Sequence, residues 1–153
     1  MPDIVCNIAK GRVAELYNRI DSNDPAGSVL VIVPVNRGAT TDETLRDCDT
    51  LAAILAVVTE RTANGWNRKI LTDADLAAMT VDDVNNRMPL AFPQQAWTPT
   101  VAGDTVTDLV FSYDAVAGSG ADSDIVPLTV AAFAITPDGS EVVANAGDFF
   151  RAS

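Results

Sequence analysis

Four pairs of carboxylates stand close together in the chain: Asp47/Asp49, Asp73/Asp75, Asp82/Asp83 and Asp122/Asp124. Two carboxylates a few ångströms apart in a cleft, with pKa values driven apart, could divide general acid and base work between them. The local sequence gives a simpler account of two of these pairs. Asp73, Asp75, Asp82 and Asp83 lie in Thr72-Asp-Ala-Asp75 and Thr80-Val-Asp-Asp83. Carboxylates in the first turn of a helix complement its macrodipole, so these read as helix-start residues. Asp122 and Asp124 lie in the Gly/Ser/Asp segment Ala117–Asp124 and could offer oxygen ligands to calcium. The segment lacks the glycine and the distal glutamate of an EF-hand, so it reads as a solvated loop.

Nucleophilic and metal chemistry find less support. There is no histidine, and the two cysteines, Cys6 and Cys48, form no CxxC pair. A Ser-His-Asp or Cys-His arrangement is therefore excluded, and two cysteines alone do not make a tetrahedral zinc site. Neither a GxxxxGK[ST] loop nor a GxGxxG turn follows a strand-like run, so no phosphate cradle is indicated. The expectation is a chain with no catalytic residues, no cofactor and no metal. The residues singled out for contact are Phe149, Phe150 and Arg151. Adjacent side chains on a strand point to opposite faces, which would leave one ring for a partner, with Arg151 beside it to pair with a neighbour's carboxylate.

The elements that must position these groups follow from periodicity and breakers. Asn7 can cap a helix through Ile20, because Ala9, Val13, Leu16, Tyr17 and Ile20 recur at helical spacing. Asp21–Gly27 is turn-rich. Val29–Val35 is apolar on both faces and reads as a central strand whose end is marked by Pro34. Thr40 and Glu43 have capping-box spacing, and a second helix is expected through Leu45, Cys48, Leu51, Leu55 and Val58, stopping at Asn64-Gly65. Cys48 would then be a small core residue on that helix. Two short helices are expected over Asp73–Met79 and Val81–Asn86. After Met88 the texture changes to strand-like runs: Leu90–Phe92, Ala96-Trp97, Thr105–Tyr113 and Ile125–Ile135. Pro137-Asp-Gly-Ser140 is a turn between strands. The fold class is therefore α+β, with two main helices packed on an antiparallel or mixed sheet, a strand-rich C-terminal half, and a single domain over 1–153.

Composition restricts the partners. The chain of 153 residues has an apolar share of 48% and a formal charge of −11, with 10 Lys and Arg against 21 Asp and Glu. Phosphate backbones and anionic headgroups repel such a surface, so neither nucleic acid nor membrane is an expected partner. The part up to Arg87 carries −4 and the remainder −7, yet no Gly/Ser linker marks a boundary. The opening residues lack a basic and then apolar signal, so synthesis in a cytosol is expected, with both thiols free.

Three stretches carry a family resemblance: Asn7-Ile-Ala-Lys-Gly-Arg-Val-Ala-Glu15, Leu71-Thr-Asp-Ala-Asp-Leu-Ala77, and the close from Ile125-Val-Pro-Leu-Thr129 through Phe133–Ser140 to Phe149-Phe-Arg-Ala-Ser153. Together they resemble small structural proteins of tailed bacteriophages of actinobacteria. The preference for Arg over Lys, 8 to 2, suits a high-GC genome. The resemblance implies a virion component without enzymatic residues. The reading taken first is a minor capsid or decoration protein on the exterior of the phage head. Its partners would be the major capsid protein and, around local symmetry axes, further copies of itself. A tail or head–tail connector component is the alternative, and a small host-directed protein outside the virion is a third.

Overall fold

Val29-Leu-Val-Ile-Val-Pro-Val35 has no polar position on either face, and the chain buries it on both. This is shown by a computed structural model that describes residues 4–99, 101–117 and 119–152. The opening residues Met1–Asp3, Gly118 of the acidic loop and Ser153 of the closing motif lie outside the described residues. Strand β2 (Val29–Asn36) pairs along its length with β7 (Val106–Asp114), and β8 (Val126–Ile135) lies beyond β7. The short β1 (Ile4–Val5) pairs with β8 at Thr129 and Val130. On its other side β2 meets β4 (Lys69–Leu71) near its start and β3 (Thr59–Glu60) near its end. All these pairings are antiparallel.

Alternation along β2 and β7 divides the core in two. Leu30, Ile32, Leu109, Phe111 and Tyr113 face one side. Helix α1 (Val13–Asp21) covers that side through Val13, Leu16, Tyr17 and Ile20. Two small antiparallel ribbons complete the cover: β5 (Met88–Phe92) with β10 (Gly147–Ala152), and β6 (Gln95–Trp97) with β9 (Val142–Ala144). Val29, Val31, Val33, Val35, Val110 and Val130 face the other side, under α2 (Asp42–Arg46) and α3 (Leu51–Leu55). Each fully buried aliphatic or aromatic side chain contributes about 1.5–3 kcal/mol, so the two-sided strand is the strongest single organiser of the fold. The architecture is α+β and mostly sheet, with short helices confined to the first part and strands dominating after Met88.

Several expected boundaries are corrected. The first helix is interrupted: Asn7–Ala9 forms a 3-10 turn, and the α-helix begins only at Val13. Gly11, at φ +77°, sits in a left-handed conformation that stops a helix from running through. The expected second helix is divided into α2 and α3. The Thr50 hydroxyl accepts the Ala53 N–H at 3.1 Å and starts a new helix there, leaving Asp47–Asp49 as the link. Cys48 is therefore buried in the link between helices. The cap of α2 is Thr41; Thr40 instead donates its hydroxyl to the carbonyl of Val57.

Only Asp73–Asp75 of the next expected helix is helical, as a 3-10 turn. Residues 81–86 form a tight turn, closed by the Asp82 N–H donating to the Arg87 carbonyl at 2.8 Å and reversed at Asn86, φ 51°. Pro34 lies inside β2. Its carbonyl accepts from the Arg61 N–H, so its missing donor falls on the side where β4 has ended and β3 begins, and no ladder bond is lost. The Pro137–Ser140 turn leads from β8 to β9, but β9 pairs with β6.

Candidate docking surface

The three residues expected to meet a partner lie on β10, and they fare differently. The pairing of β10 with β5 slips between Asp148 and Phe150, so Phe149 is an extra residue in a β-bulge. The bulge breaks the simple alternation on which the outward ring depended. Phe149 stacks on Phe111 with centroids 4.9 Å apart and planes at 11°, and is 1% exposed. It is core. Phe150 is half-buried, packs against the same core and lines a shallow groove with Val5 and Arg151. Arg151 is exposed and spends its charge at home, donating from Nε to Asp148 at 2.7 Å.

The acidic pairs are dispersed and mostly engaged. Asp122 is held by Arg68, which donates to it at 2.6 Å while also gripping Glu60, and hydrogen bonding to Arg68 keeps the Asp122 carboxyl below its ordinary range. The expected solvated loop is thus anchored at Asp122, whose backbone carbonyl also accepts from Ala52; Asp124 is exposed. Asp82 takes hydrogen bonds from Asn85 and Arg87, which lower its pKa, and Asp75 takes both the N–H and the hydroxyl of Thr72. A carboxyl held below its usual pKa is a weak general base at neutral pH. Among the described residues no group of three or more His, Cys, Asp or Glu is placed to hold a metal ion.

Both cysteines are free and buried. Burial, and then the neighbouring Cys48, push the Cys6 thiol up to about 12. Burial also raises Cys48, whose Sγ donates to the Thr44 carbonyl at 3.3 Å. Neither thiol is poised as a nucleophile.

A different surface emerges from strand pairing. β8 is ten residues long, and the described part of β1 pairs with its outer side at Thr129 and Val130. Among the described residues, no backbone group pairs with the outer edge from Ala131 to Ile135. The Cys6 N–H donates to the Leu128 carbonyl at 3.0 Å, so Leu128 faces outward, and alternation carries Val130 and Ala132 outward too.

This edge has a groove on each face of the sheet. On one face, Phe111, Phe133, Ala131 and Phe149, with Asn145 and Asp148, line a hollow of about 220 Å³. On the other, Arg37, Gly38, Asp42, Thr107, Asp108 and Ala132 line an open hollow of about 390 Å³. Asp108, 1% exposed, lies opposite Ala132 in the sheet and receives both Nε and a terminal nitrogen of Arg37. Arg37 also donates to Asp42, and hydrogen bonding to Asp108 raises its own pKa. One cation thus serves two carboxylates, and the hollow keeps a net negative charge.

Comparison with protein families, characterised proteins and solved structures finds no match for this chain.

Sequence reasoning missed Ala131–Ile135, Arg37, Asp42 and Asp108 as a surface. The one signal available was an uncharged run, Ala131-Ala-Phe-Ala-Ile135, in a strongly acidic chain.

Proposed function

We propose that this chain is a structural virion protein of a tailed bacteriophage, a minor capsid protein that decorates the outside of the head and reinforces contacts between major capsid subunits. The resemblance of its opening, middle and closing motifs to small phage structural proteins supports this reading. The observation that carries it is the disposition of charge. All eight arginines pair with the chain's own carboxylates: Arg12 and Arg19 with Glu15, Arg46 with Glu43, Arg61 with Asp104, Arg87 with Asp82, and Arg37, Arg68 and Arg151 as described above. The surplus of acid is left facing outward. Such a subunit repels its own copies while free and is drawn to a surface that presents positive charge, which suits late addition to a repeating shell.

Avidity from a repeating lattice would let a modest contact hold the protein firmly. Quantitative mass spectrometry of purified virions, with antibody labelling seen by electron microscopy, tests the reading. High copy number with label over the head is the expected result. A few copies along the tail or at one vertex would replace decoration with a tail or connector role, and absence from virions would overturn both.

A further inference from the structure

We infer that the hairpin from Ala77 to Ala91 is a rigid prong whose tip, Val81 and Val84, docks into an apolar cleft flanked by lysine or arginine on a partner protein. Val84 is 89% exposed and Val81 65%, the two most exposed large apolar side chains among the described residues. Isolated apolar residues on a surface are ordinary. These two differ in how firmly the chain holds them out.

Two clamps fix the prong. At its base, the Tyr17 hydroxyl meets the carbonyls of Ala77 and Ala91, one on each arm, at 2.8 and 3.1 Å. At its tip, Asp82 and Arg87 exchange backbone hydrogen bonds of 2.8 and 3.2 Å. The Asp82 carboxylate also accepts from the Asn85 N–H, the Asn85 side-chain amide and Arg87 Nε. The pairing of β5 with β10 ends at Met88, opposite Ala152, so the turn lies beyond the last pair of that ribbon. A loop held in one conformation before binding loses little entropy when it docks.

Charge selects the partner. Asp83 stands between the two valines, exposed and without an ion pair among the described residues. Arg87 is the one basic residue of the prong, and it is committed to Asp82. An apolar tip carrying one unbalanced carboxylate complements an apolar cleft with a cation at its rim, and a second copy of this acidic chain is repelled. The inference rests on the proposed virion role for its partner, which places that cleft on the major capsid protein.

Heads purified from particles assembled without this protein are the probe, titrated with labelled parent and variants. Saturable binding of the parent is expected. Val84→Asp should weaken it by about tenfold or more, as loss of a central apolar anchor does. Val84→Thr, which keeps the shape of the side chain, should weaken it in the same direction. Both variants should melt within about 2 °C of the parent, because an exposed position contributes little to stability. Asp83→Asn should weaken binding several-fold and flatten its dependence on salt, whereas Asp124→Asn should leave both near those of the parent. Undiminished binding by Val84→Asp would overturn the inference and leave the proposed function standing. Failure of the parent to bind heads would overturn the proposed function and the inference with it. A concentration-dependent dimer of the free parent that Val84→Asp dissolves would assign the tip to a second copy and equally overturn the inference.

Discussion

Tyr17 and Cys6 each keep a proton that water would remove more easily. The Tyr17 hydroxyl donates to the carbonyls of Ala77 and Ala91 at 2.8 and 3.1 Å, tying α1 to the segment before and within β5. Burial, and secondarily Asp21, push its pKa from 10.0 up to about 12; Cys6 rises from 9.0 to about 12. In both cases the folded state holds the proton more tightly than the unfolded chain. The associated stability is complete below the unfolded pKa values and is lost as pH climbs through the folded ones. Urea unfolding at pH 8, 10 and 11 should show a progressive fall in stability over that window. Tyr17→Phe should cost about 1–3 kcal/mol at pH 7, because two carbonyls lose their donor. The variant should also lose less than the parent between pH 10 and 11; an unchanged slope would mean that Tyr17 does not contribute to the alkaline limb.

At the scale of elements, strands were far more legible than helices. Expected runs at Leu90–Phe92, Ala96-Trp97, Thr105–Tyr113 and Ile125–Ile135 correspond to β5, β6, β7 and β8 within a residue or two. β-branched and aromatic density marks a strand wherever it pairs. The helical stripe from Leu45 to Val58 was equally clear, and its buried positions Leu45, Leu51 and Ile54 do cover one face of the sheet. The stripe did not reveal that Thr50 would cap a second helix, because apolar spacing runs on unbroken past a polar residue that prefers a cap to a helix interior. Five-residue helices have little intrinsic stability and depend on such caps. Thr50→Ala should therefore destabilise the protein by about 0.5–2 kcal/mol, measured by chemical denaturation. It should also raise amide exchange through Leu51–Leu55 more than in α1, which lacks a side-chain cap to lose. Uniform exchange across both helices would show that packing alone holds α3.

For the whole molecule, the net charge was legible at once and its arrangement was not. No rule of spacing adds Asp122 to the pair of Arg68 with Glu60, or Asp108 to the pair of Arg37 with Asp42, because those second carboxylates lie 54 and 71 residues away and arrive only when the chain folds. With every arginine paired internally, Asp24, Asp73, Asp83, Asp124 and Glu141 remain exposed and without an ion pair among the described residues. Salt then acts on two opposed sets of interactions. It weakens the exposed pairs, each worth about 0–1 kcal/mol, and it screens repulsion among the surplus carboxylates. Repulsion is the longer-ranged of the two. It is felt over about 30 Å at 0.01 M and about 10 Å at 0.1 M ionic strength, whereas the arginine pairs are in contact. Raising sodium chloride from about 0.01 to 0.3 M should therefore raise the melting temperature by about 2–4 °C, the equivalent of about 1 kcal/mol for a chain of this size. Attraction to a basic partner should respond in the opposite sense and weaken across the same range. Calorimetry of the free protein over that salt series checks the first sign. A melting temperature that falls with salt would mean that the internal pairs outweigh the repulsion, and the acidic surplus would then not be the force that directs docking.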